Sequence, residues 1–216
     1  MKILVSFTLF VVALIFCRIL YSGNYGYIFL SWNLFLAWIP YKTSLYLSPE
    51  KINTNWRAAV LIAGWLLFFP NALYIITDLV HLEKKTNVPT WYDLVLLFSS
   101  AIAGLLMAFA SLYNVEKFFI KKVGKPAAGK LMVFCLFIGS FGVYLGRFLR
   151  WNSWDVVANP LILVKEIAVR FAFPLENYRT WAITLLFTVL FSLLYFTIKW
   201  LMVYSKPFDE DEIVMN

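Results

Sequence analysis

The chain of 216 residues is 62% hydrophobic and 19% aromatic, and only 14% of its residues are charged. One soluble core of this size does not use so much apolar surface, so the composition excludes a soluble globular protein and indicates an integral membrane protein. The net charge of +7 does not indicate nucleic-acid binding, because the basic residues are scattered between apolar runs. Contact with anionic lipid head groups explains them more simply.

Six hydrophobic runs reach the roughly 20 residues that cross about 30 Å of hydrocarbon. They lie at about 3–21, 26–47, 57–77, 92–113, 130–149 and 180–204. We therefore expect an all-α integral membrane protein with six transmembrane helices in one domain over residues 1–205. A short, acidic, disordered tail is expected at 206–216. The first run is interpreted as a retained helix, because it lacks an A-x-A-like cleavage site.

The distribution of lysine and arginine favours a cytoplasmic N-terminus and a cytoplasmic C-terminus. In that orientation eleven of these residues fall inside and eight outside, and the inner set includes five lysines between positions 117 and 130. Two polar segments, one after the third run and one after the fifth, then lie together on the outer side. Ionisable groups within a membrane are functional candidates, so this side is where we expect a site.

The second run enters from the outer side and carries Asn33 within the hydrocarbon. An amide in this position must find a hydrogen-bond partner, because an unsatisfied polar group in lipid is costly. Packing between helices could supply that partner, since interhelical amide bonds are common in membrane proteins. The sequence leaves open whether Asn33 is structural or binds a ligand.

The third run leaves the membrane through the segment PNALYIITDLVHL, which begins at Pro70. Asn71, Tyr74, Asp78 and His81 follow at spacings of three, four and three residues, which places them on one face of a helix. Pro70 has no N–H and frees a carbonyl one turn earlier. A polar network is therefore predicted along this face.

Asp78 and His81 are the catalytic candidates in this network. An aspartate that orients an imidazole is a recurrent acid–base arrangement, because it fixes the tautomer and raises the proton affinity of the ring. His81 is the only histidine of the chain, so any histidine-dependent mechanism must use it. The structural alternative is a capping or interfacial pair near the end of the helix.

The fourth run begins on the outer side with an aromatic pair that suits a membrane interface, followed by Asp93. A carboxylate in the first turn is favoured by the helix dipole, and Asp93 is also a candidate for ligand binding. Farther along, Ser100, Gly104 and Ala108 form a row of small residues on which another helix can lie closely.

The fifth run ends in the segment GRFLRWNSWDVV, which begins at Gly146. Gly146 and Gly142, four residues earlier, form a GxxxG pair. Close packing there brings Arg147 and Arg150 against neighbouring helices, where an arginine is costly unless it meets an anion.

Two sources of that anion are possible. In the structural interpretation the arginines pair with the carboxylates at positions 78, 93 and 155. In the functional interpretation their planar forks hold the phosphate or carboxylate of a ligand. The candidate ligand-binding residues from this segment are Arg147, Arg150, Trp151, Asn152 and Asp155, in addition to Asn33, Asn71, Tyr74 and Asp93.

A further helix is predicted between the fifth and sixth runs, because Asn159 and Pro160 have the pattern of a helix N-terminus. The sequence PLILVKEIAVRFAF is too short to span a membrane, and Lys165, Glu166 and Arg170 fall on one side of it. We therefore expect a short interfacial amphipathic helix that could roof the polar cluster.

No metal or cofactor is expected. One histidine without a nearby acidic pair at helical spacing does not make a zinc or di-iron ligand set, although Asp78, His81, Asp93 and Asp155 could together hold a single ion. The chain also lacks a Walker loop and the GxGxxG, GxSxG and HExxH motifs, which argues against the common nucleotide-binding and zinc-protease functions.

The segments SWNLFLAWIP, WLLFFPNALYIITDLVHL, WYDLVLLFSSAIAGLLMAFASLY and FGVYLGRFLRWNSWDVV together resemble one bacterial family of membrane proteins. The family is labelled domain of unknown function thirteen sixty-one. The resemblance covers helices 2 to 5 and the start of the next loop. It implies a multi-pass bacterial membrane protein, which we expect in the inner membrane, and it supplies no activity, substrate or catalytic residue.

Three functional hypotheses follow. The first is a membrane protein whose outward-facing polar pocket binds an anionic lipid or an envelope precursor, with membrane lipids as its partners. The second is an enzyme that acts on a lipid-linked or anionic envelope substrate, with Asp78 and His81 as acid and base and with Arg147 and Arg150 as the anion clamp. The third is a small-solute transporter, which is disfavoured by the lack of paired broken helices and internal repeats.

Overall fold

The computed structural model describes residues 1–47, 55–83 and 87–204. Its elements, in chain order, are α1 (Lys2–Ser22), α2 (Phe29–Ser44), α3 (Asn55–Tyr74), a 3₁₀ segment (Ile75–Glu83), α4 (Thr90–Val123), α5 (Lys125–Phe148), α6 (Asp155–Ala158), α7 (Pro160–Ala172) and α8 (Tyr178–Tyr204). The described residues contain no β-strand, which agrees with the all-α prediction. The acidic tail predicted at 206–216 lies outside them.

Among the described residues, five helices are long and apolar enough to cross a membrane: α1, α3 together with the 3₁₀ segment, α4, α5 and α8. The prediction of six spans is therefore not exact, and the difference lies in the second run. The sequence predicted a span at 26–47, whereas α2 has 16 residues. Tight turns replace the α-helix at both ends of this run, where Leu30 donates to the carbonyl of Tyr27 and Leu47 donates to that of Ser44. Hydropathy cannot separate these turns from regular helix.

Glycines set two of the helix boundaries. Gly23 ends α1 with a φ of 63°, and its N–H donates to the carbonyl of Ile19. Gly124 separates α4 from α5 with a φ of 81°. Both values lie in the left-handed region, where a residue without a Cβ avoids steric conflict.

Side-chain contacts show how the helices run. Asn33 near the start of α2 bonds to Asp78, and Ser44 at its end bonds to Asn114 of α4. Along α4, Asn114 is 21 residues beyond Asp93, which corresponds to about 30 Å. We call the end of the bundle that holds Asn33, Asp78 and Asp93 the polar end, and the end that holds Ser44 and Asn114 the far end.

Helix α4 is the centre of the bundle. Its buried side chains include Leu96, Leu97, Met107 and Leu112, and the core continues through Trp65 of α3. Helices α1, α2, α3 and α5 pack against α4, and α8 packs along α5. Apolar packing of this kind gives a membrane bundle its shape, and small residues set how closely the helices approach.

The predicted row of small residues on α4 is a close-packing face. A Cβ placed on Gly104 would lie 2.8 Å from the carbonyl oxygen of Ala72 and 2.8 Å from the side chain of Ile75. The end of α3 and the start of the 3₁₀ segment therefore lie directly on α4 at this point. The packing role predicted for Gly104 is confirmed.

The predicted helix after Pro160 is present as α7, with Asn159 at its N-cap. Arg170 bonds to the carboxylate of Glu166 one turn earlier at 2.7 Å, and the Trp181 indole of α8 donates to the Arg170 carbonyl. The first bond stabilises α7 itself, and the second joins α7 to α8. Phe171 of α7 also packs against Phe141 of α5, with 5.9 Å between ring centroids.

We expect Gly142→Ala to destabilise the protein by about 1–3 kcal/mol, the usual cost of overpacking. A Cβ at Gly142 would lie 2.6 Å from the Pro70 ring, which is rigid and cannot move aside. Thermal unfolding in detergent measures the effect.

The matched control is Gly129→Ala in the same helix, where a Cβ meets nothing within 4 Å. This change should be neutral or should stabilise by up to about 1 kcal/mol, because alanine has the higher helix propensity. Equal melting temperatures for the two variants would contradict the close approach of α3 and α5.

Candidate functional site

The centre of the polar end is the carboxylate of Asp78, which is only 1% exposed. One oxygen accepts a hydrogen bond from the amide of Asn33 at 2.8 Å, and the other accepts from the guanidinium of Arg147 at 3.2 Å. Arg147 also donates to the Tyr74 hydroxyl at 3.0 Å and to the Thr77 carbonyl at 2.8 Å. The Asp78 network therefore joins α2, the end of α3, the 3₁₀ segment and α5.

The Asp78 network has little room for a ligand. Both carboxylate oxygens bond to side chains of the protein, and two nitrogens of Arg147 are also engaged. A carboxylate this deeply buried needs such partners, because an unpaired charge in an apolar interior is strongly destabilising. The contacts support the structural interpretation of Asp78 and Arg147.

His81 lies beside the Asp78 network. Its Nε2 is 4.0 Å from an Asp78 oxygen, which is longer than a hydrogen bond. The ring meets Phe29 edge-on with 5.0 Å between centroids, and the His81 carbonyl accepts a hydrogen bond from the Tyr27 hydroxyl at 3.0 Å. The predicted acid–base pair is thus close in space without a direct bond between the two side chains.

Asp93 belongs to a second ion pair, which the sequence did not predict. Arg18 of α1 donates two hydrogen bonds to its carboxylate, at 2.7 and 3.1 Å, and both side chains are buried. The Arg18 guanidinium also lies 3.9 Å from the centre of the Tyr27 ring. Asp93 is therefore fixed by α1, and the expectation that it could pair with the arginines of α5 is wrong.

Arg150 is exposed and makes no ion pair within the described part of the chain, so its predicted pairing with a carboxylate is also wrong. The backbone explains the difference, because α5 ends at Phe148 and Arg150 has a φ of 61° that turns the chain away from the helix axis. Asp155 instead accepts a hydrogen bond from the backbone N–H of Asn152 at 2.7 Å. It stabilises the turn before α6.

Asn71 connects α3 to the loop after α5. Its amide donates to the Phe68 carbonyl at 3.1 Å and to the Ser153 hydroxyl at 2.8 Å. Ser153 in turn donates to the Leu67 carbonyl at 3.2 Å. These bonds hold the loop over the side of α3. Ser153 was not among the predicted residues, and a single serine in a loop gives no periodic signal.

A cavity of about 430 Å³ lies below this loop, between α3, α5 and α7. We call it the groove. Four of the predicted site residues line it, namely Asn71, Tyr74, Trp151 and Asn152. The rest of its lining is mainly apolar and includes Ala63, Leu66, Pro70, Ile138, Gly142, Leu163 and Ile167.

The groove and the Asp78 network share one residue, Tyr74. Its side chain lines the groove, and its hydroxyl accepts the hydrogen bond from Arg147. The predicted cluster is thus divided among the Asp78 network, the Arg18–Asp93 pair and the groove, while Arg150 and Asp155 lie in the loop beside the groove. The groove is the part that can admit a ligand.

Reasoning from the sequence also missed a buried group at the far end. Glu116 of α4 accepts hydrogen bonds from Tyr195 and Lys199 of α8. A glutamate within the long apolar pattern of α4 was the available signal. Within the described ranges no three His, Cys, Asp or Glu side chains are placed to hold a metal ion.

We expect Asp78→Asn to destabilise the protein by about 3–5 kcal/mol, because it leaves Arg147, whose side chain is only 16% exposed, without a counter-charge. The matched control is Asp155→Asn, which changes an exposed turn by less than about 0.5 kcal/mol. Thermal unfolding of both variants in the same detergent tests this. A small, similar loss in the two variants would show that Asp78 does not hold the helices together.

The comparisons with known proteins give a family and no activity. No curated protein and no solved structure matches the chain. The sequence profile of one family, described as "Protein of unknown function (DUF1361)", matches residues 32–194. This match includes the Asp78 network, the groove and Glu116, and it covers well over half of the sequence. The chain therefore belongs to the DUF1361 family of proteins of unknown function.

Proposed function

We propose that this protein binds an anionic lipid, or the lipid part of an anionic envelope precursor, in the groove between α3, α5 and α7. The observation that carries the proposal is the polarity of the lining. Its polar side chains, Asn71, Tyr74, Asn152 and Ser153, lie towards the polar end, and the lining nearer the middle of the bundle is apolar. A lipid has the same arrangement, with a polar head group towards the membrane surface and an apolar chain towards the middle of the membrane.

The dimensions of the groove support a single lipid chain. On α3 the lining extends from Tyr74 to Ala63, and eleven residues of helix correspond to about 16 Å. This is close to half of the roughly 30 Å hydrocarbon core of a bilayer. A volume of about 430 Å³ also lies within the usual range for small-molecule sites. The ligand would therefore come from one leaflet.

The charge next to the groove supports an anionic head group. Arg150 immediately precedes two lining residues, Trp151 and Asn152, and its side chain is exposed. Its left-handed backbone, with a φ of 61°, costs a non-glycine residue about 1–2 kcal/mol. An arginine kept at a backbone position that favours glycine is consistent with a binding function of its side chain. The guanidinium group is suited to hydrogen bonding with phosphate.

The location we propose is a bacterial inner membrane with both termini in the cytoplasm. The lysines between positions 117 and 130 lie at or beyond the far end of α4 and at the start of α5, and a surplus of such residues marks the cytoplasmic side. The polar end and the groove mouth would then face outwards. Ligands for this site are lipids or lipid-linked precursors of the outer leaflet.

The enzyme hypothesis has less support from the geometry. Asp78 is 1% exposed and bonded through both oxygens, so a substrate has no access to this member of the proposed acid–base pair. The His81 side chain is 21% exposed, but its Nε2 lies 4.0 Å from the nearer Asp78 oxygen and makes no hydrogen bond to it. Arg147 is directed at Asp78 and the Thr77 carbonyl, and it is not free to clamp a second anion. Binding needs only the groove and Arg150.

Thermal stabilisation by defined lipids tests the proposal. We expect phosphatidylglycerol to raise the melting temperature of the detergent-purified protein more than phosphatidylcholine with identical acyl chains does. Ala63→Trp should abolish this gain, because Ala63 lies at the apolar end of the groove and the indole would fill it. Ala182→Trp is the matched control, since Ala182 is exposed on α8 and does not line the groove.

Arg150→Gln tests the head-group contact separately. Losing the guanidinium charge should weaken binding of phosphatidylglycerol about tenfold and binding of phosphatidylcholine much less, because the choline ammonium already offsets the phosphate charge of that lipid. A parallel titration with a polyprenyl monophosphate distinguishes a membrane phospholipid from a lipid-linked precursor. Equal stabilisation by all three lipids, or full stabilisation of Ala63→Trp, would contradict the proposal.

A further inference from the structure

A polar stripe runs along one face of α8. Thr180, Thr184, Thr188, Tyr195 and Lys199 follow one another at spacings of four, four, seven and four residues. The three threonines and Tyr195 are buried, although they lie in a helix that is apolar enough to span a membrane. Nineteen residues separate Thr180 from Lys199, which corresponds to about 28 Å and so to nearly the whole hydrocarbon core.

Within the part of the chain that the structure describes, three buried hydroxyl groups of α5 and α8 have no hydrogen-bond partner. They belong to Ser140 of α5 and to Thr184 and Ser192 of α8. Ser140 and Thr184 are each 0% exposed. Thr188 shows the usual way to satisfy such a group, because its hydroxyl donates to the Thr184 carbonyl at 2.7 Å. Buried polar groups without a protein partner are commonly satisfied by ordered water.

Aromatic stacking places these hydroxyls at the interface of α5 and α8. The Trp181 ring stacks on Phe137 at 6.5 Å and on Phe141 at 5.9 Å between centroids. Ser140 lies between these two phenylalanines in α5, and Thr184 lies one turn beyond Trp181 in α8. The two hydroxyls are therefore at a similar depth in the bundle.

The stripe begins at a polar pocket. A cavity of about 340 Å³ at the polar end is lined by Tyr144, Glu176, Asn177, Tyr178, Arg179 and Thr180. Thr180 is both a lining residue of this pocket and the first member of the stripe. Water in the pocket thus has direct contact with the start of the stripe.

The stripe ends at a buried ion pair. Glu116 is 3% exposed and accepts hydrogen bonds from the Tyr195 hydroxyl at 2.7 Å and from the Lys199 ammonium at 2.7 and 2.8 Å. The Lys199 side chain is 29% exposed, so the pair reaches the surface at the far end. On α4 itself Tyr113 lies one turn before Glu116, and the Lys117 ammonium lies over the Tyr113 ring at 4.2 Å.

We propose that ordered waters beside the buried hydroxyls of α8 complete a path that carries protons between the pocket at Thr180 and the Glu116–Lys199 pair. Hydroxyl groups and waters pass a proton along by accepting one and releasing another. The Glu116 carboxylate accepts the arriving proton and releases it to water at the exposed Lys199 end, which restores its ion pair with the Lys199 ammonium. Buried carboxylates and polar chains in membrane helices form proton relays in many pumps and transporters. The groove takes no part in the path, so the two proposals can fail separately.

Cysteine accessibility tests whether water enters the path. Thr184→Cys is made in a Cys17→Ser/Cys135→Ala background, because both native cysteines are free thiols. We expect a small charged methanethiosulfonate reagent to modify it roughly tenfold faster than Leu186→Cys, since the reactive thiolate forms where water is present. Leu186 lies at a similar depth on α8, and its side chain is 71% exposed on the apolar surface. No faster reaction at position 184, in a variant with a normal melting temperature, would overturn the proposal.

Proton entry into proteoliposomes tests the function of the path. With an imposed pH difference, vesicles that contain the protein should acidify faster than protein-free vesicles, as read by an enclosed pH-sensitive dye. Thr184→Val keeps the side-chain shape, removes the hydroxyl and should slow the protein-dependent rate about tenfold, a barrier of about 1.4 kcal/mol. Thr197→Val is the matched control, because Thr197 is exposed on the same helix. Protein-containing vesicles that acidify no faster than empty ones, or equal rates for the two variants, would overturn the proposal.

Discussion

The buried carboxylate of Asp78 fixes the relative positions of three parts of the bundle. An unpaired carboxylate in an apolar interior would cost several kcal/mol even after relaxation of its surroundings, so α2 must supply Asn33 and α5 must supply Arg147. Each partner is useful only at one rotation and one depth of its helix. The end of α3, the start of α2 and the end of α5 are therefore held in one register.

The need to pair buried charges also holds the outer helices α1 and α8 against α4. Arg18 joins α1 to α4 through Asp93, and Lys199 joins α8 to α4 through Glu116. Apolar contacts alone allow a helix to slide or rotate against its neighbour, because lipid tails are as apolar as the side chains that they replace. An ion pair near the end of each helix removes that freedom. Elsewhere the spans can remain apolar and face lipid.

The groove forms because α3 and α5 pack closely at one depth of the bundle and are separated at another. Pro70 lies against Gly142, so α3 and α5 meet closely there, and the loop held by Ser153 spans the gap towards the polar end. Helix α7 closes the third side with Leu163 and Ile167. Because Arg147 is already paired with Asp78, the charge near the groove mouth comes from Arg150. The structural role of Arg147 is thus separate from the binding role that we propose for Arg150.

Local patterns in the sequence determined much of this architecture. The apolar runs indicated the membrane class and most of the helices, the Asn159–Pro160 pair indicated the start of α7, and the small residue Gly104 indicated a packing face. These features depend on hydropathy, periodicity and backbone preference, which act over a few residues. The shortness of α2 was missed, because tight turns at its ends have the same hydropathy as a helix.

The partners of the charged residues were decided only by the tertiary structure. Asp93 pairs with Arg18, which lies 75 positions earlier, and Glu116 pairs with Lys199, which lies 83 positions later. Helical spacing shows which side chains share a face, but it does not give the rotation of each helix or the reach of a side chain towards another. The groove depends on the same unknowns, because it is the space that remains after α3, α5 and α7 have packed.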